Sequence, residues 1–334
     1  MNHHGDSRHA RPGLWAAALV AAILLEATGV QAQERRPGGF VFSIGAEETF
    51  YRLPMTSYVL DTNNGVFAST QQYSNSISPK ASLSYAFEDP AKFGAFGTNA
   101  RINASLTRDY ASSVATMTTG QLASNIALIN GTIQPNVGFA PATWTSTQTY
   151  EEWRARIDLQ TDFIVGGNAA VSPRAGLTFS SANTGYNLSR IASGINSGNP
   201  YTMINASLYG FYLGAALGVD AKVPLGGGFV ISGGAGVDLL VTSMSLSAVQ
   251  DPAQVSPPRN NYVQSTATNF AWRPAVNAAV GYEWNNVAVS VTGSFAYLDG
   301  MPYIALTQAP GQATTIGRAS MWGAGVGARI SVAF

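Results

Sequence analysis

The chain has 334 residues, of which 46% are apolar, 10% aromatic and only 11% charged, and its 18 basic residues balance 18 acidic ones. The low charge content and the 35 glycines argue against a disordered chain or a coiled coil. The zero net charge argues against a nucleic-acid-binding protein, which needs an excess of basic side chains. Cysteine is absent, which excludes disulfides, thiolate nucleophiles and cysteine metal sites.

The first 32 residues have the pattern of a secretory signal peptide. Arg8 and Arg11 precede a short apolar run at 14–25, and the segment ends with the small residue Ala32. A membrane anchor is the alternative, but this run is shorter than the roughly 20 residues that a spanning helix needs. We therefore expect cleavage after Ala32, which would remove all three histidines from the mature chain.

The rest of the chain, residues 33–334, alternates between apolar and polar side chains. In the clearest case, the segment 153–163, apolar or neutral residues separate polar ones. The polar positions are Arg154, Arg156, Asp158, Gln160 and Asp162. Successive residues of a strand point to opposite faces, so this segment predicts a strand with one apolar face and one polar face.

Similar alternation predicts ten strands in a single domain. They lie at 40–50, 80–87, 96–109, 150–163, 170–180, 207–223, 229–242, 271–284, 287–298 and 318–334. Each has about the 9–11 residues that a tilted strand needs to cross a bilayer. Because an open strand edge in lipid leaves unpaired amides, we expect an all-β, closed antiparallel transmembrane β-barrel with both termini on the periplasmic side.

The connections between these strands alternate between two kinds. Short ones lie at 88–95, 164–169, 224–228 and 285–286, and long ones lie at 52–79, 110–149, 181–206, 243–270 and 299–317. Short periplasmic turns and long extracellular loops are typical of such barrels. The hairpin signals Asn64-Gly65 and Asn130-Gly131 lie in two of the long loops, and we expect both to form ribbons that extend outward. If either hairpin crosses the membrane, the barrel has twelve strands.

Aromatic residues on the apolar face are sorted by strand end, which favours two belts at the two bilayer surfaces. One predicted belt contains Phe40, Phe42, Phe87, Phe96, Phe163, Phe229, Tyr282, Trp284 and Phe334. The other contains Trp153, Phe179, Tyr209, Phe211, Trp272, Phe295, Tyr297 and Trp322. A soluble β-sandwich, the alternative, would bury these rings in a central core.

The polar face of the strands would line the barrel lumen. Its predicted basic residues are Lys80, Arg101, Arg154, Arg156, Arg174, Lys222, Arg273 and Arg329. Its predicted acidic residues are Glu47, Glu152, Asp158, Asp162, Asp220, Asp238 and Glu283. The near balance of signs suggests paired networks, since an unpaired confined charge is costly. This cluster is interpreted as a structural network, a selectivity lining of a pore, or a catalytic or ligand site.

Other inward positions are occupied by small residues. They are Gly214, Ala216, Gly218, Ser232, Gly234, Gly236, Gly323, Gly325 and Gly327. Bare backbone on this arc could leave a narrow, water-filled passage beside the charged side chains. The size of a ten-stranded barrel does not decide between a filled and an open lumen.

The sequence predicts no enzyme, cofactor or metal site. The glycines at 323–327 alternate along a strand with no helix after them, unlike a phosphate-binding loop. Histidine-dependent catalysis needs a side chain that the mature chain would lack. Glu151 and Glu152 are neighbours on a strand and point to opposite faces, so they do not share a site.

The alternating strands and the terminal run 325–334 resemble those of bacterial outer-membrane β-barrel proteins. The closing Phe334 is similar to the signal that the barrel-assembly machinery reads. Short elements at 173–177, 218–221 and 225–229 resemble those of the Legionella-type pore-forming major outer-membrane proteins. A barrel of ten strands also resembles that of the omptin proteases. This resemblance implies a site of aspartate and histidine, and the mature chain would lack histidine.

These observations predict a barrel integral to the cell outer membrane that forms a narrow pore for small hydrophilic solutes or ions. The alternative is a plugged structural or surface-binding barrel that acts through its loops at 110–149 and 243–270. Expected partners are outer-membrane lipid, lipopolysaccharide and the barrel-assembly machinery, and no nucleic acid. The sequence leaves the solute and the oligomeric state open.

Overall fold

A computed structural model describes most of the chain after the first 38 residues. The described ranges are 39–61, 65–70, 73–87, 99–120, 122–139, 141–165, 169–192, 201–251, 261–309 and 311–334. The predicted signal peptide and Phe96 therefore lie outside the described residues. Within these ranges, no helix has the length and apolarity needed to span a membrane.

The described residues form fourteen strands. In chain order they are β1 (Phe40–Arg52), β2 (Ser57–Asp61), β3 (Val66–Ser69), β4 (Tyr73–Ala86), β5 (Asn99–Thr119), β6 (Leu122–Ala127), β7 (Ile133–Phe139), β8 (Ala142–Val165), β9 (Ala169–Ala192), β10 (Tyr201–Gly226), β11 (Phe229–Gln250), β12 (Asn261–Trp284), β13 (Val287–Ala305) and β14 (Thr315–Ala333).

Ten of these strands close into a barrel. The ring order is β1-β14-β13-β12-β11-β10-β9-β8-β5-β4, and every neighbouring pair is antiparallel. The pairing of β1 with β14 completes the ring, with a register from Val41 opposite Ala333 to Arg52 opposite Trp322. This confirms the predicted closed antiparallel transmembrane β-barrel, with ten strands in the described part of the chain.

The strands are longer than predicted. They range from 13 residues in β1 to 26 in β10, so the expected length of about 9–11 residues was wrong. In β11, Ser243 and Ser245 point outward and are exposed, whereas the alternating Met244 and Leu246 are buried. The strand thus continues past the apolar belt with a polar outer face, and its serine content gave it the composition of a loop.

All five predicted long loops were too long, because polar residues in them belong to strands. Strand residues occupy much of 52–79, 110–149, 181–206, 243–270 and 299–317. The two loops to which the alternative function was assigned are affected as well. Residues 110–119 and 142–149 belong to β5 and β8, and residues 243–250 and 261–270 belong to β11 and β12.

Two hairpins form, but they fold into the barrel. β2 pairs with β3 and β6 pairs with β7 as separate two-stranded sheets. Tyr58 and Leu60 of β2 and Ile129 after β6 are fully buried in one cluster with inward wall residues such as Trp144 and Leu188. The expected outward ribbons are therefore wrong. Ribbons extending outward would leave their apolar faces in contact with water, and these faces are instead buried against the wall. Since neither hairpin joins the ring, the described part of the chain forms a barrel of ten strands.

The outer surface carries two groups of aromatic side chains, as predicted. At one end, the ring of Phe50 lies 5.4 Å from that of Tyr73 and 5.8 Å from that of Trp322. At the other end, the rings of Phe229 and Tyr282 are 5.0 Å apart. The described aromatics of the predicted belts follow the barrel surface, and aliphatic side chains between them are exposed. This arrangement fits a bilayer better than water.

The two barrel termini meet at one end. The amide of Phe334 donates to the carbonyl of Phe40 at 2.8 Å, and the Phe334 side chain is 78% exposed. We call this the turn end, because the short connections at 226–229 and 284–287 lie there as well. The opposite end is the hairpin end. The role of Phe334 as an assembly signal stays a prediction.

A charge placed on the apolar belt tests the assignment of faces. Leu217 lies on the outer face of β10 midway between the belts, so Leu217→Arg is expected to lower the free energy of unfolding in lipid vesicles by about 2–4 kcal/mol. Asn205→Arg, on the same strand and face but beyond the belt, should cost about 0–1 kcal/mol. Urea titration of both variants measures this, and equal losses would contradict the assignment.

Candidate functional site in the lumen

The inner face of β8 shows the layering of the whole lumen. From the turn end it carries Asp162, Asp158 and Arg156, then Arg154 and Glu152, and finally the apolar Trp144 near the hairpin end. We name three regions after this order. The turn-side layer contains the first set of charges, the central layer surrounds Glu152, and the outer plug surrounds Trp144.

Ion pairs link all the acidic residues of the turn-side layer to basic ones among the described residues. The pairs are Lys80–Glu47 (2.5 Å), Arg101–Asp162 (2.8 Å), Arg156–Asp158 (3.2 Å), Arg156–Asp238 (3.3 Å), Arg174–Asp220 (3.1 Å) and Lys222–Glu283 (2.7 Å). Ser294 also donates to Glu47. These distances describe direct charge-assisted hydrogen bonds or close contacts.

Several of these contacts join strands that are not neighbours in the ring. Lys222 lies on β10 and Glu283 on β12, and Arg156 lies on β8 and Asp238 on β11. Side chains of separated strands meet only inside the barrel. The predicted inward charges therefore lie together in the lumen, although their predicted role as a pore lining stays a prediction.

The central layer crosses the lumen. Arg273 of β12 donates to Glu152 of β8 at 2.7 Å, and their side chains are only 4% and 1% exposed. Arg154 contacts Glu152 at 3.0 Å and Asp109 at 3.1 Å. The hydroxyl of Tyr51 donates to Asp109 at 2.7 Å. Two arginines thus balance two carboxylates, and the Arg273–Glu152 pair among them is buried on both sides.

Aromatic and aliphatic side chains fill the rest of the central layer. The Tyr150 hydroxyl donates to Glu152 at 2.7 Å, and Tyr212 is buried in the same region. The buried cluster around them contains Leu53, Ala111, Ala182, Leu240, Ala271, Leu298, Met301 and Met321. This packing leaves the ion pairs in a low-dielectric environment, where their geometry matters most.

The inward glycines make room for long side chains and do not form an open arc. A Cβ atom at Gly234 would collide with the Asp220 carboxylate, and one at Gly325 would lie 2.7 Å from Glu47 Cδ. A Cβ at Gly218 would lie 2.9 Å from the Arg174 Nε. The passage expected along these glycines is therefore occupied, because charged side chains from neighbouring strands lie across the bare backbone.

The outer plug closes the hairpin end. The Gln250 amide donates to the Tyr58 hydroxyl at 2.7 Å, and its carbonyl accepts from the Ile129 backbone amide at 2.7 Å. Gln250 of the barrel wall thus holds both hairpins at once. Burial raises the pKa of the Tyr58 phenol above its usual range, so Tyr58 stays a neutral hydrogen-bonding partner.

Three further hydrogen bonds complete this plug. Thr70, after β3, donates to the Gln148 side chain at 2.9 Å, and the Thr314 amide donates to the Ile129 carbonyl at 2.7 Å. Gly311 donates to the carbonyl of Gly131, where φ is +85° in the hairpin turn. The connection between β13 and β14 therefore covers the β6–β7 hairpin.

One predicted lumen residue, Arg329, takes no part in the ion pairs described above, and two central residues were not predicted. Arg329 lies on the same face of β14 as Gly325 and Gly327 and is exposed near the turn end. Asp109 and Tyr51 were missed as central residues. The alternation of β5 already placed Asp109 on the face of Arg101, but the partnership with Tyr51 of β1 depends on the closed ring.

The lumen charges do not form a metal-ligand group. Among the described residues, no three His, Cys, Asp or Glu side chains are placed to hold a metal ion. The ion pairs within the lumen join arginine and lysine to carboxylates, and Arg154 and Arg156 each contact two of them. The chemistry they perform here is mutual neutralisation.

No protein-family model matches the sequence, and no curated protein matches it. Solved structures that are similar to this chain include the outer-membrane protease OmpT from Escherichia coli, with 11% identity and a TM-score of 0.41 over 91% of this chain and 99% of that chain. A major outer-membrane protein from Thermus thermophilus has 14% identity and a TM-score of 0.35 over 88% and 99%. The CymD monoaromatic hydrocarbon channel has 8% identity and a TM-score of 0.33 over 89% of each chain.

These likenesses concern general architecture only. The assignment of the fold rests on the strand pairing of this chain itself. The narrower resemblance to the Legionella-type pore-forming proteins stays a prediction, as does the expectation that the chain is not an enzyme.

Adjacent carboxylates on opposite faces of β8 offer a matched test of the central layer. Glu152→Gln should lower the free energy of unfolding by about 3–5 kcal/mol, because it leaves the buried Arg273 without its charge partner. Glu151 pairs with Arg108 on the outer surface, so Glu151→Gln should cost about 0–1 kcal/mol. Urea titration in vesicles compares the two, and similar losses would contradict a sealed ionic layer.

The filled glycine arc gives a second test. Gly325→Val should destabilise the barrel by about 1–3 kcal/mol, because the new side chain would displace Glu47 from Lys80. Gly293 of β13 points outward, and a Cβ there would meet its nearest atom at 4.0 Å. Gly293→Val is the control and should cause no loss of stability in the same unfolding assay. An open passage beside Gly325 would instead accept the valine without cost.

Proposed function

We propose that this chain is an integral barrel of a bacterial outer membrane whose lumen is sealed and whose activity belongs to its outward-facing end. The observation that carries the proposal is the central layer. Arg273 and Glu152 meet across the barrel at 2.7 Å, from strands separated by three others in the ring. An ion pair at this depth blocks the path that a solute would take.

Two further features support a sealed lumen. The outer plug adds a second barrier of fully buried side chains, among them Tyr58, Leu60 and Trp144. The inward glycines, which would otherwise widen the path, are covered by Asp220, Arg174 and Glu47. A solute would therefore have to displace a folded hairpin, a buried ionic layer and then a turn-side layer.

The outer-membrane location is part of the proposal. The apolar surface between two aromatic belts supports a bilayer environment, and the signal-peptide pattern before Ala32 supports export through the inner membrane. We assign the turn end to the periplasm and the hairpin end to the cell exterior. Outer-membrane lipid and lipopolysaccharide would surround the belts, and the barrel-assembly machinery would recognise the segment ending in Phe334.

A narrow pore is the second candidate, and the turn end supports it. Side chains of Lys80, Lys222 and Glu283 are 42%, 35% and 30% exposed there, and Arg329 is exposed as well. They form a charged vestibule that reaches from the turn end toward the central layer. Conduction would require the central layer and the outer plug to rearrange.

Planar-bilayer recording distinguishes the two candidates. The refolded wild-type chain should insert without giving a steady conductance step, because the central layer excludes ions. Insertion is verified separately in vesicles by resistance of the barrel to protease. A reproducible step would overturn the sealed-lumen proposal. If Arg154→Gln together with Arg156→Gln then shifted the ion preference toward cations, the pore would be established in its place.

A further inference from the structure

One charged side chain faces the lipid. Glu48 of β1 is exposed on the outer face of the barrel, opposite Val326 of β14 and Ile77 of β4. Among the described residues that face outward between the two aromatic belts, Glu48 alone is charged. An ionisable group at such a position is costly in lipid, so it points to an interaction.

Nothing in the described part of the chain satisfies Glu48. None of the ion pairs or side-chain hydrogen bonds there involves its carboxylate. A second polar side chain, the amide of Asn75, is exposed on the same outer face. Asn75 lies opposite Phe50, one outward position from Ile77, and its amide also makes no hydrogen bond to another described side chain.

Small side chains lie on the β14 side of Glu48, whereas the larger Phe50, Tyr73 and Ile77 surround Asn75. Ala46 lies next to Glu48 on β1, and Ala324 and Ala328 flank Val326 on β14. Gly293 of β13 lies opposite Val326 on the other side and also faces outward. Small side chains allow another membrane surface to approach closely, which is how packing replaces the hydrophobic effect between elements inside a bilayer.

From these observations we propose that the outer face of β13, β14, β1 and β4 binds a second copy of this chain. A two-fold axis parallel to the barrel axis, passing between Glu48 and Asn75, places the carboxylate of each copy beside the amide of the other. The acceptor and the donor lie on one patch, so the patch is self-complementary, as a two-fold interface requires. Each copy thereby removes two polar groups from contact with lipid.

Single-cysteine cross-linking tests this interface, since the wild-type chain contains no cysteine. Ala46→Cys places a thiol beside Glu48, and Ala215→Cys places one on the outer face of β10, five strands away and on the opposite side of the ring. In vesicles containing only this protein and lipid, a short bifunctional maleimide should link the Ala46→Cys variant about tenfold more than the Ala215→Cys variant. Equal linkage at both positions would indicate random collisions and overturn the proposal.

A second substitution identifies the carboxylate as the cause. Adding Glu48→Leu to Ala46→Cys should reduce the cross-linked fraction about tenfold, to the level of the Ala215→Cys control. Leucine at a lipid-facing position should leave the monomeric barrel at least as stable, so protease resistance confirms that the loss is not misfolding. Unchanged linkage after Glu48→Leu would overturn the proposal. The outcome does not depend on whether the lumen conducts.

Discussion

Closure of the barrel is the constraint on which the rest of the structure depends. In hydrocarbon no water is available to an unpaired amide or carbonyl, so each spanning strand must have two neighbours. The pairing of β1 with β14 meets this requirement for the first and last strands. Closure also separates two environments completely, since one face of every strand meets lipid while the other meets only the enclosed space.

The enclosed face then has to neutralise its own charges. Removing one partner of a buried ion pair is far more costly than the pair is stabilising, so the network acts mainly to specify geometry. Arg273 and Glu152 hold β12 and β8 at a defined distance across the lumen, and Lys222 and Glu283 do the same for β10 and β12. The inward glycines leave the space that the long charged side chains of this network occupy.

The interior of the hairpin end is apolar and not charged. Its wall presents apolar residues such as Trp144, Leu188 and Leu246 to the interior, and water would otherwise enter there. The β2–β3 and β6–β7 hairpins supply the matching apolar surface, and Gln250 satisfies polar groups from both. The outer plug is therefore a small hydrophobic core inside the barrel, distinct from the ionic layers below it.

The sequence by itself determined which face of each strand meets lipid, because an alternation of period two is a local property that needs no knowledge of neighbours. It thereby predicted the class of fold, the ten strands, the belts and the inward charges, and it identified the turn at Asn130-Gly131. Only the tertiary structure decided the strand ends, where Ser243 and Ser245 resemble a loop in composition. It also decided that Asp109 meets Tyr51, that Asp220 covers Gly234, and that the hairpins fold inward. These features depend on which residues a closed ring brings together from distant parts of the chain. The local spacing of residues does not identify those long-range partners.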